Sequence, residues 1–317
     1  MNWFENFDTR HLEVDGARIH AHVSRGLQDG RPALLLLHGF PQTHVMWHRV
    51  AQLLQKDFYL VMPDLRGYGD SSKAPGLPDH SNYSKRALAQ DMVEVMDALG
   101  IAQFYLCGHD RGGRVAHRLA VDHAARVLRL CVIDIAPTLD MYAATDFAFA
   151  TAYYHWFHLI QPAPLPEAMI GGNALAYLHA TLGGWGSLGM DHMEAAALAE
   201  YERCFCHAET IHAMCEDYRA SASIDLVHDR ASRACQTAGS SNDTSASASA
   251  GKIACDTLVL WGQRGVVNQL FQPLELWQAQ CAGQVTGQTL PAGHFIPEEL
   301  PTETAALLGG FFKASVP

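Results

Sequence analysis

Short runs of apolar residues alternate with longer amphipathic segments along the first third of the chain. Apolar or nearly apolar runs of four to six residues are typical of strands buried on both faces of a sheet. Such strands are predicted at 33–37, 58–62, 104–107 and 128–133. Between two of them, segment 85–99 has apolar positions every three and four residues, which predicts a helix. This alternation indicates an α/β fold, with a mostly parallel sheet that carries helices on both faces.

Other segments of the chain add to this sheet. Residues 11–25 alternate in a way that predicts a hairpin joined to one edge. After a long helical region the apolar strand pattern returns at 257–262, where it ends in a glycine turn. A last strand is predicted near 288–290, and a helix over 302–312 closes the fold.

The middle of the chain predicts a separate helical unit. From about 140 to 215 the periodicity is helical, aromatic residues are frequent and no strand is indicated. We therefore expect a first core segment at 1–139, an inserted helical cap at 140–215 and a second core segment at 216–317. Within the last, residues near 236–251 are almost wholly Ser, Ala, Thr, Asn and Asp, and a flexible loop is expected there.

Composition narrows the classes of partner. The chain carries a formal net charge of −11, with 49% hydrophobic and 17% charged residues. Nucleic acids and anionic membranes are therefore excluded as expected partners. No apolar run is long enough for a transmembrane helix, and the N-terminus lacks the pattern of a signal peptide, so a cytoplasmic protein is expected. An anionic substrate would need a local cationic pocket to overcome the general repulsion.

Metal-ligand patterns are weak in this sequence. Cys204 and Cys206 form only a C-x-C pair, whereas zinc ligands usually come as more widely spaced pairs. His20 and His22 share one face of a predicted strand, but no neighbouring residue in the sequence completes a ligand set. They are interpreted as surface strand residues, and no metal or other cofactor is predicted.

The segment Gly108-His109-Asp110-Arg111-Gly112-Gly113 joins a predicted strand to a predicted helix. Small residues on both sides of Asp110 permit the sharp turn that presents the nucleophile in serine hydrolases, with aspartate in the place of serine. A carboxylate is suited to displacing a leaving group from alkyl carbon, which leaves an ester on the enzyme. The alternative interpretation is an ordinary glycine-rich turn in which Asp110 caps the helix.

Several stretches together resemble the fluoroacetate (haloacetate) dehalogenases of the α/β-hydrolase fold, over essentially the whole length of the chain. The matching stretches are His38-Gly39-Phe40-Pro41-Gln42, Asp64-Leu65-Arg66-Gly67-Tyr68-Gly69-Asp70-Ser71-Ser72, Gly108 to Arg114, His155-Trp156, Asp217-Tyr218-Arg219 and Gly293-His294-Phe295. The first two stretches are shared widely across the superfamily. The combination of Asp110-Arg111 with Arg114 and His155-Trp156 is much more specific.

The resemblance implies a catalytic triad of Asp110, Asp134 and His294. The turn after the strand at 257–262 holds no carboxylate, and Asp134 ends the strand before the cap, where active sites of parallel sheets assemble. The alternative role for Asp134 is to cap the segment that follows. We expect His294 to activate water against an ester of Asp110, and Asp134 to orient His294. Backbone N–H groups of Phe40 and Arg111 are the expected oxyanion hole.

Substrate-binding residues are predicted on both sides of this triad. Arg111 and Arg114 lie three residues apart on one helix face, and two guanidinium groups suit the carboxylate of a short 2-haloacid. The alternative is that they are surface arginines paired with acids such as Asp122. The resemblance also assigns three halide-binding donors, although an aromatic stripe in a cap helix is by itself more typical of core packing than of a binding site. The three are His155, Trp156 and Tyr218.

The predicted reaction is therefore the hydrolysis of fluoroacetate or a related haloacetate to glycolate and halide, with the haloacid and water as the only small-molecule partners. An epoxide hydrolase with the same nucleophile is the first alternative, in which Tyr154 and Tyr218 would hold the epoxide oxygen. Arg111 argues against it, because those enzymes commonly carry tryptophan at that position. A non-catalytic protein that binds small acids is a remote alternative, and no serine occupies the turn for an esterase. The resemblance also implies a homodimer.

Overall fold

The computed structural model describes residues 3–26, 29–238 and 251–314, and in it one eight-stranded sheet runs through the molecule. The strands are β1 (Phe7–Val14), β2 (Ala17–Ser24), β3 (Ala33–Leu37), β4 (Tyr59–Pro63), β5 (Phe104–His109), β6 (Val127–Ile133), β7 (Thr257–Gly262) and β8 (Val285–Leu290). Their order across the sheet is β1-β2-β4-β3-β5-β6-β7-β8. The first two strands form an antiparallel hairpin, β2 is antiparallel to β4, and every other pair is parallel.

Helices cover the sheet and fill the interval between β6 and β7. They are α1 (His48–Leu54), α2 (Lys85–Ala98), α3 (Asp110–Asp122), α4 (Thr138–Ala143), α5 (Phe147–Ala152), α6 (Tyr154–His158), α7 (Leu165–Gly171), α8 (Ala174–Leu182), α9 (Ala195–Phe205), α10 (Ala208–Ala222), α11 (Ile224–Ala238), α12 (Val266–Leu270), α13 (Pro273–Gln280), α14 (Ile296–Glu299) and α15 (Pro301–Lys313). Short 3₁₀ helices lie at His44–Trp47, Ser81–Tyr83 and Ala124–Arg126. Within the described residues, no helix has both the length and the apolar character needed to cross a membrane.

The sequence prediction of an α/β sheet with helices is confirmed. The strands predicted at 33–37 and 257–262 match the observed ones residue for residue, and the hairpin begins four residues earlier than expected. All five side chains of β3 and all five of β4 are buried, as expected for central strands covered on both faces.

The predicted end of the cap, at residue 215, falls inside a continuous helix. Helix α10 spans Ala208–Ala222, and α11 continues to Ala238, so the helical segment after β6 is longer than the sequence indicated. Residues 236–238, expected to begin the flexible loop, are the last turn of α11. The rest of that loop, 239–250, lies outside the described residues. The division into core and cap remains a prediction.

The ends of the central strands bring the candidate site together. Residues 38–40 follow β3, Asp110 follows β5, Asp134 follows β6, and His294 lies four residues after the end of β8. Because these strands are parallel, their carboxyl ends lie at the same edge of the sheet, where α/β proteins bind their ligands.

Candidate active site

A strained turn holds Asp110 at the junction of β5 and α3. Its φ is +46°, in the left-handed region that costs free energy for a residue with a side chain. Gly108 and Gly112 make this turn possible. A Cβ on Gly108 would collide with the Gly112 carbonyl, and one on Gly112 would collide with the His38 carbonyl. The backbone therefore has the form of a nucleophile-bearing turn, which an ordinary helix cap would not require.

The Asp110 carboxylate is enclosed rather than open to solvent. The residue is only 7% exposed. Its Oδ1 accepts a hydrogen bond from Phe40 N at 2.9 Å, and its Oδ2 lies 3.9 Å from His294 Nε2. Burial raises the pKa of Asp110, but the positive charge available on His294 and His109, and on two arginines, outweighs burial and lowers it. The side chain is therefore held as the carboxylate, the form that can attack carbon.

His294 is bonded to Asp134 and faces Asp110. Its Nδ1 lies 2.6 Å from Asp134 Oδ2, whereas its Nε2 is buried with no hydrogen-bond partner among the described residues. Asp134 also has a positive φ of +51°, and its Oδ1 accepts from Gly262 N at 2.9 Å. Both carboxylate oxygens thus point toward β7 and His294, and neither of these bonds caps the helix that follows.

The pKa of His294 reflects these neighbours. Burial lowers it, but the hydrogen bond and charge of Asp134, together with the charge of Asp110, outweigh burial and raise it above the ordinary value of 6.5. A raised pKa makes the imidazole a stronger base for taking a proton from water. The carboxylate, base and orienting acid are therefore in one arrangement, and their catalytic roles remain predictions.

One of the two expected oxyanion-hole N–H groups, that of Phe40, donates to Asp110 Oδ1. The other, Arg111 N, stands in the first turn of α3, where N–H groups have no partner within the helix, and its role remains a prediction. The positive end of the helix dipole adds to this effect. Oδ1 is thus the oxygen placed for a developing negative charge, and Oδ2, near His294, is the one placed to attack.

Arg111 is fully buried and mostly bonded within the protein. Its Nε donates to Asp217 Oδ2 at 2.7 Å, and its Nη2 donates to Asp217 O at 2.8 Å and to Ser221 Oγ at 2.5 Å. Only Nη1 lacks a partner among the described residues. The expected free guanidinium fork is therefore reduced to one free N–H₂ group on a rigidly held side chain.

Arg114 is buried but has no ion pair within the described part of the chain. Its Nη1 donates to Ala136 O at 3.1 Å and Thr138 Oγ1 at 2.9 Å, and its Nη2 lies 3.3 Å from Met141 Sδ. The alternative of surface arginines paired with acids such as Asp122 is wrong in its surface location and in its partner, because both arginines are buried and Asp122 bonds Arg86 and Arg118. It is right that Arg111 pairs with an acid, which is Asp217. A buried guanidinium without a carboxylate partner is costly unless a ligand supplies one.

Two predicted halide-binding residues meet above the Phe40 ring. The ring of Tyr218 lies 5.3 Å from that of Phe40 and 5.6 Å from that of His155. His155 Nδ1 and the Tyr218 hydroxyl are both buried, with no partner in the described residues. Burial lowers the pKa of His155 to about 3 and raises that of Tyr218 well above its usual value, so both keep neutral N–H and O–H groups.

Trp156 and Trp185 close the other side of the site. The guanidinium carbon of Arg114 lies 4.6 Å from the Trp156 ring, an arrangement that fixes both side chains by a cation–π contact. Trp185 packs 4.4 Å from His155 and 5.1 Å from His294, ring centre to ring centre. Helix α6 therefore turns at least His155 and Trp156 toward the site.

The residues around the Arg111 guanidinium, Asp217 and Lys85, were not predicted from the sequence. Asp217 bonds both Arg111 and the buried ammonium group of Lys85, and it also accepts from Tyr68 at 2.9 Å. A signal was present, since Asp217 directly precedes Tyr218 in a matching stretch and Lys85 interrupts an apolar helix face. Neither signal indicated a contact with Arg111.

Comparisons with known proteins identify the family and the fold of the chain. A model of the α/β-hydrolase fold family matches residues 32–175. A fluoroacetate dehalogenase from Burkholderia sp. is 41% identical over 98% of this chain and 95% of its own length. A soluble epoxide hydrolase from Corynebacterium sp. is 29% identical over 91% of each chain. The crystal structure of an α/β-hydrolase-fold protein from Nostoc sp. PCC 7120 is 49% identical, superposes with a TM-score of 0.89, and covers 98% of this chain and 100% of its own. The chain therefore belongs to the fluoroacetate (haloacetate) dehalogenase family of the α/β-hydrolase superfamily.

Proposed function

We propose that this protein hydrolyses short 2-haloacids, such as fluoroacetate, to the hydroxyacid and halide through an ester on Asp110. The observation that carries the proposal is Arg114, a buried cation beside the candidate nucleophile whose neutralising carboxylate is missing from the described residues. An anionic substrate would supply that carboxylate, and the free Nη1 of Arg111 would add a second donor. The 41% identical fluoroacetate dehalogenase supports the same substrate class.

In the first step, Asp110 Oδ2 attacks the α-carbon of the haloacid. A carbon–oxygen bond forms, the carbon–halogen bond breaks, and the halide leaves with the bonding electron pair. The substrate carboxylate on Arg111 and Arg114 aligns the α-carbon with the nucleophile. Fluoride concentrates its charge in a small volume, so several N–H and O–H donors are needed around it. Three side chains supply them, namely His155, Tyr218 and the Trp156 indole. His155 Nδ1 and the Tyr218 hydroxyl have no partner in the described residues.

In the second step, water attacks the carbonyl carbon of the Asp110 ester. His294 Nε2 takes the proton from that water, and Asp134 stabilises the imidazolium that results. Negative charge develops on Asp110 Oδ1, beside the N–H groups of Phe40 and Arg111. The intermediate then releases the hydroxyacid, with His294 returning a proton, and restores the Asp110 carboxylate. The net products are hydroxyacid, halide and one proton.

The pair of tyrosines needed for the epoxide alternative is not assembled at this site. Tyr218 is buried, but Tyr154 is 52% exposed, and its ring stacks on His158. A neutral epoxide would also offer no anionic group to Arg111 and Arg114. Because one relative is an epoxide hydrolase, epoxide hydrolysis should be assayed in parallel. We do not propose it as the function.

Fluoride release from fluoroacetate, followed with an ion-selective electrode, tests the substrate class. We expect stoichiometric fluoride and glycolate from the purified protein, and no diol from an epoxide in a parallel assay. Diol without fluoride would replace the proposal with epoxide hydrolysis. Tight binding of haloacetate without turnover would favour the non-catalytic alternative.

Single-turnover hydrolysis in ¹⁸O-labelled water tests the covalent step. The label is expected in the carboxylate of Asp110, because water attacks the ester carbonyl and the first glycolate takes its hydroxyl oxygen from the enzyme. Label in the first-formed glycolate, with none in the protein, would show direct attack of water on the substrate. A cytoplasmic location and a homodimeric state remain predictions alongside this proposal.

A further inference from the structure

A second cluster of ionisable side chains lies away from the candidate active site, around Asp64. It consists of His20 and His22 from β2, His44 from the start of a 3₁₀ helix, and Asp64, which directly follows β4. The interpretation of His20 as a surface strand residue is wrong, because it is only 5% exposed. The missing members of a ligand set, His44 and Asp64, come from distant parts of the sequence.

The nitrogen and oxygen atoms of this cluster converge on one small volume. His44 Nδ1 lies 2.8 Å from Asp64 Oδ1, and His20 Nδ1 lies 3.2 Å from Asp64 Oδ2. One ligand atom from each of the three residues falls within 4.8 Å of the others. Bonds of about 2.0–2.2 Å to a tetrahedral zinc ion place its ligand atoms about 3.3–3.6 Å apart, so both separations from Asp64 would widen around an ion.

His22 stands beside these three groups with a ring nitrogen to spare. Its ring lies 4.6 Å from that of His44 and 5.3 Å from that of His20. Its Nδ1 is buried and has no hydrogen-bond partner among the described residues. Its ring also stacks on Phe4 at 4.5 Å, and Phe4 lies 5.4 Å from His44, so the three rings pack against one another. His22 therefore has an unpartnered nitrogen beside the cluster, outside the 4.8 Å volume that the other three ligand atoms share.

The buried charge of Asp64 is not matched by a permanent cation. Its ion-pair partners in the described residues are all histidines, namely His20, His38 and His44. Asp64 also accepts backbone hydrogen bonds from His44 N and Asp70 N, each at 2.9 Å. These are neutral donors, so a cation bound between the carboxylate and the ring nitrogens would be the group that balances its charge.

We propose that His20, His44 and Asp64 form a binding site for a divalent transition metal ion of the zinc type, with His22 as the additional ligand. The ion would take the place of the two Nδ1 protons now shared with Asp64. A ring that binds the ion through Nδ1 carries its proton on Nε2, so a neutral imidazole changes tautomer on binding and releases no proton. Nitrogen-rich ligand sets of this kind select zinc, nickel and cobalt over magnesium and calcium.

The role expected of this ion is structural. The cluster ties β2 of the N-terminal hairpin to the end of β4 and to the 3₁₀ helix that begins at His44, three elements far apart in sequence. A ligand that binds only the folded state stabilises it. None of the ligands belongs to the candidate active site, so the test does not depend on dehalogenase activity.

Calorimetric titration of metal-free, tag-free protein with Zn²⁺ tests the site. One saturable site per chain is expected, together with a higher midpoint of thermal unfolding. His20→Gln and His44→Gln are each expected to weaken Zn²⁺ binding by about tenfold or more, because each removes a ligand. His179→Gln is the matched control. His179 pairs with Glu202 at 2.6 Å, and in the described residues it belongs to no group of three potential metal ligands.

Titration with Co²⁺ provides a readout that needs no variant. Nitrogen and oxygen ligation is expected to give visible ligand-field bands without the thiolate-to-cobalt charge-transfer band. That band, or loss of binding in Cys206→Ser with full binding in His20→Gln and His44→Gln, would place the ion at thiols and overturn the proposal. Absence of saturable binding to the wild-type protein would overturn it as well. Circular dichroism of each variant verifies that it is folded.

Discussion

The two sides of the candidate active site differ in how their polar groups are satisfied. On the sheet side, Asp134 and His294 are bonded to each other, and Asp110 accepts from Phe40 N. On the side of the helical segment, His155 Nδ1 and the Tyr218 hydroxyl have no partner within the described residues, although both are buried. The sheet-side groups are held by hydrogen bonds, although His294 Nε2 has no partner in the described residues, whereas neither of the two helical-side groups is held in this way.

This difference separates two tasks. Groups that make and break covalent bonds must be held in one geometry, and paired hydrogen bonds hold them. Groups that recognise a leaving anion must be free to donate when it forms, and unpaired buried groups carry a free-energy cost until then. The contrast suggests that changes on the sheet side stop turnover, whereas changes on the helical side alter which halide leaves.

The largest effect is expected from His294→Asn. Without the base, the ester on Asp110 cannot be hydrolysed, and multiple turnover should fall by about 10³-fold or more. The first step does not use His294, so a carboxymethyl ester should accumulate and appear in the intact-protein mass after incubation with haloacetate. Asp110→Asn is the control, and no adduct should form on it. Full turnover by His294→Asn would break the distinction between the two sides.

Asp134→Asn is expected to lower kcat by about 10²–10⁴-fold, because the imidazolium loses its stabilising partner. It should also move the pH profile. His294 must be neutral to accept a proton, so kcat in the wild type falls as pH drops through its raised pKa. Without the Asp134 charge, burial dominates and lowers that pKa, and the acidic limb should move to lower pH. A limb that stays in place would show that a different group controls it.

On the helical side, Trp156→Phe keeps an aromatic ring against Arg114 but removes the indole N–H. Fluoride needs donors more than chloride does, so defluorination should fall about 10- to 100-fold and dechlorination less, as expected for a hydrogen bond to an anion. Comparing kcat for fluoroacetate and chloroacetate measures this ratio. Trp47→Phe is the matched control, because Trp47 is also fully buried with an unpartnered Nε1. Equal losses for both halides would argue against a halide role.

The smallest effect is expected from Thr138→Val, which removes one hydrogen bond that orients Arg114. Loss of this neutral acceptor for the retained Arg114 guanidinium should raise KM for haloacetate about three- to tenfold, with little change in kcat. Thr145→Val is the control, since its hydroxyl donates to Tyr142 O on the exposed surface. A fall in kcat with unchanged KM would show instead that Arg114 acts in the chemical step and not in substrate binding.

Much of the core could be predicted from the sequence because its signals are local. The apolar run of β3 and the strand before the Gly262 turn were predicted to the residue, and glycines around Asp110 predicted the sharp turn. His294 was expected in a turn beyond the last strand, and the structure places it there. Strand periodicity and turn chemistry act over a few residues, so they can be read without knowing the fold.

Contacts between distant segments could not be predicted in the same way. Nothing near Arg111 indicated that Asp217, more than a hundred residues later, would bond most of its guanidinium. The aromatic stripe around Trp156 is more typical of core packing than of a binding site, and the same residue types serve both. The extension of α10 and α11 beyond residue 215 was hidden by their partly polar composition.

The sequence by itself determined the sheet, the turn that presents Asp110 and the chain order of nucleophile, acid and histidine. Only the tertiary structure decided which charges are neutralised. It paired Arg111, left Arg114 without a carboxylate in the described residues, and brought His20 and His44 onto Asp64. The physical reason is that backbone conformation depends on neighbours along the chain, whereas the free energy of a buried charge depends on neighbours in space.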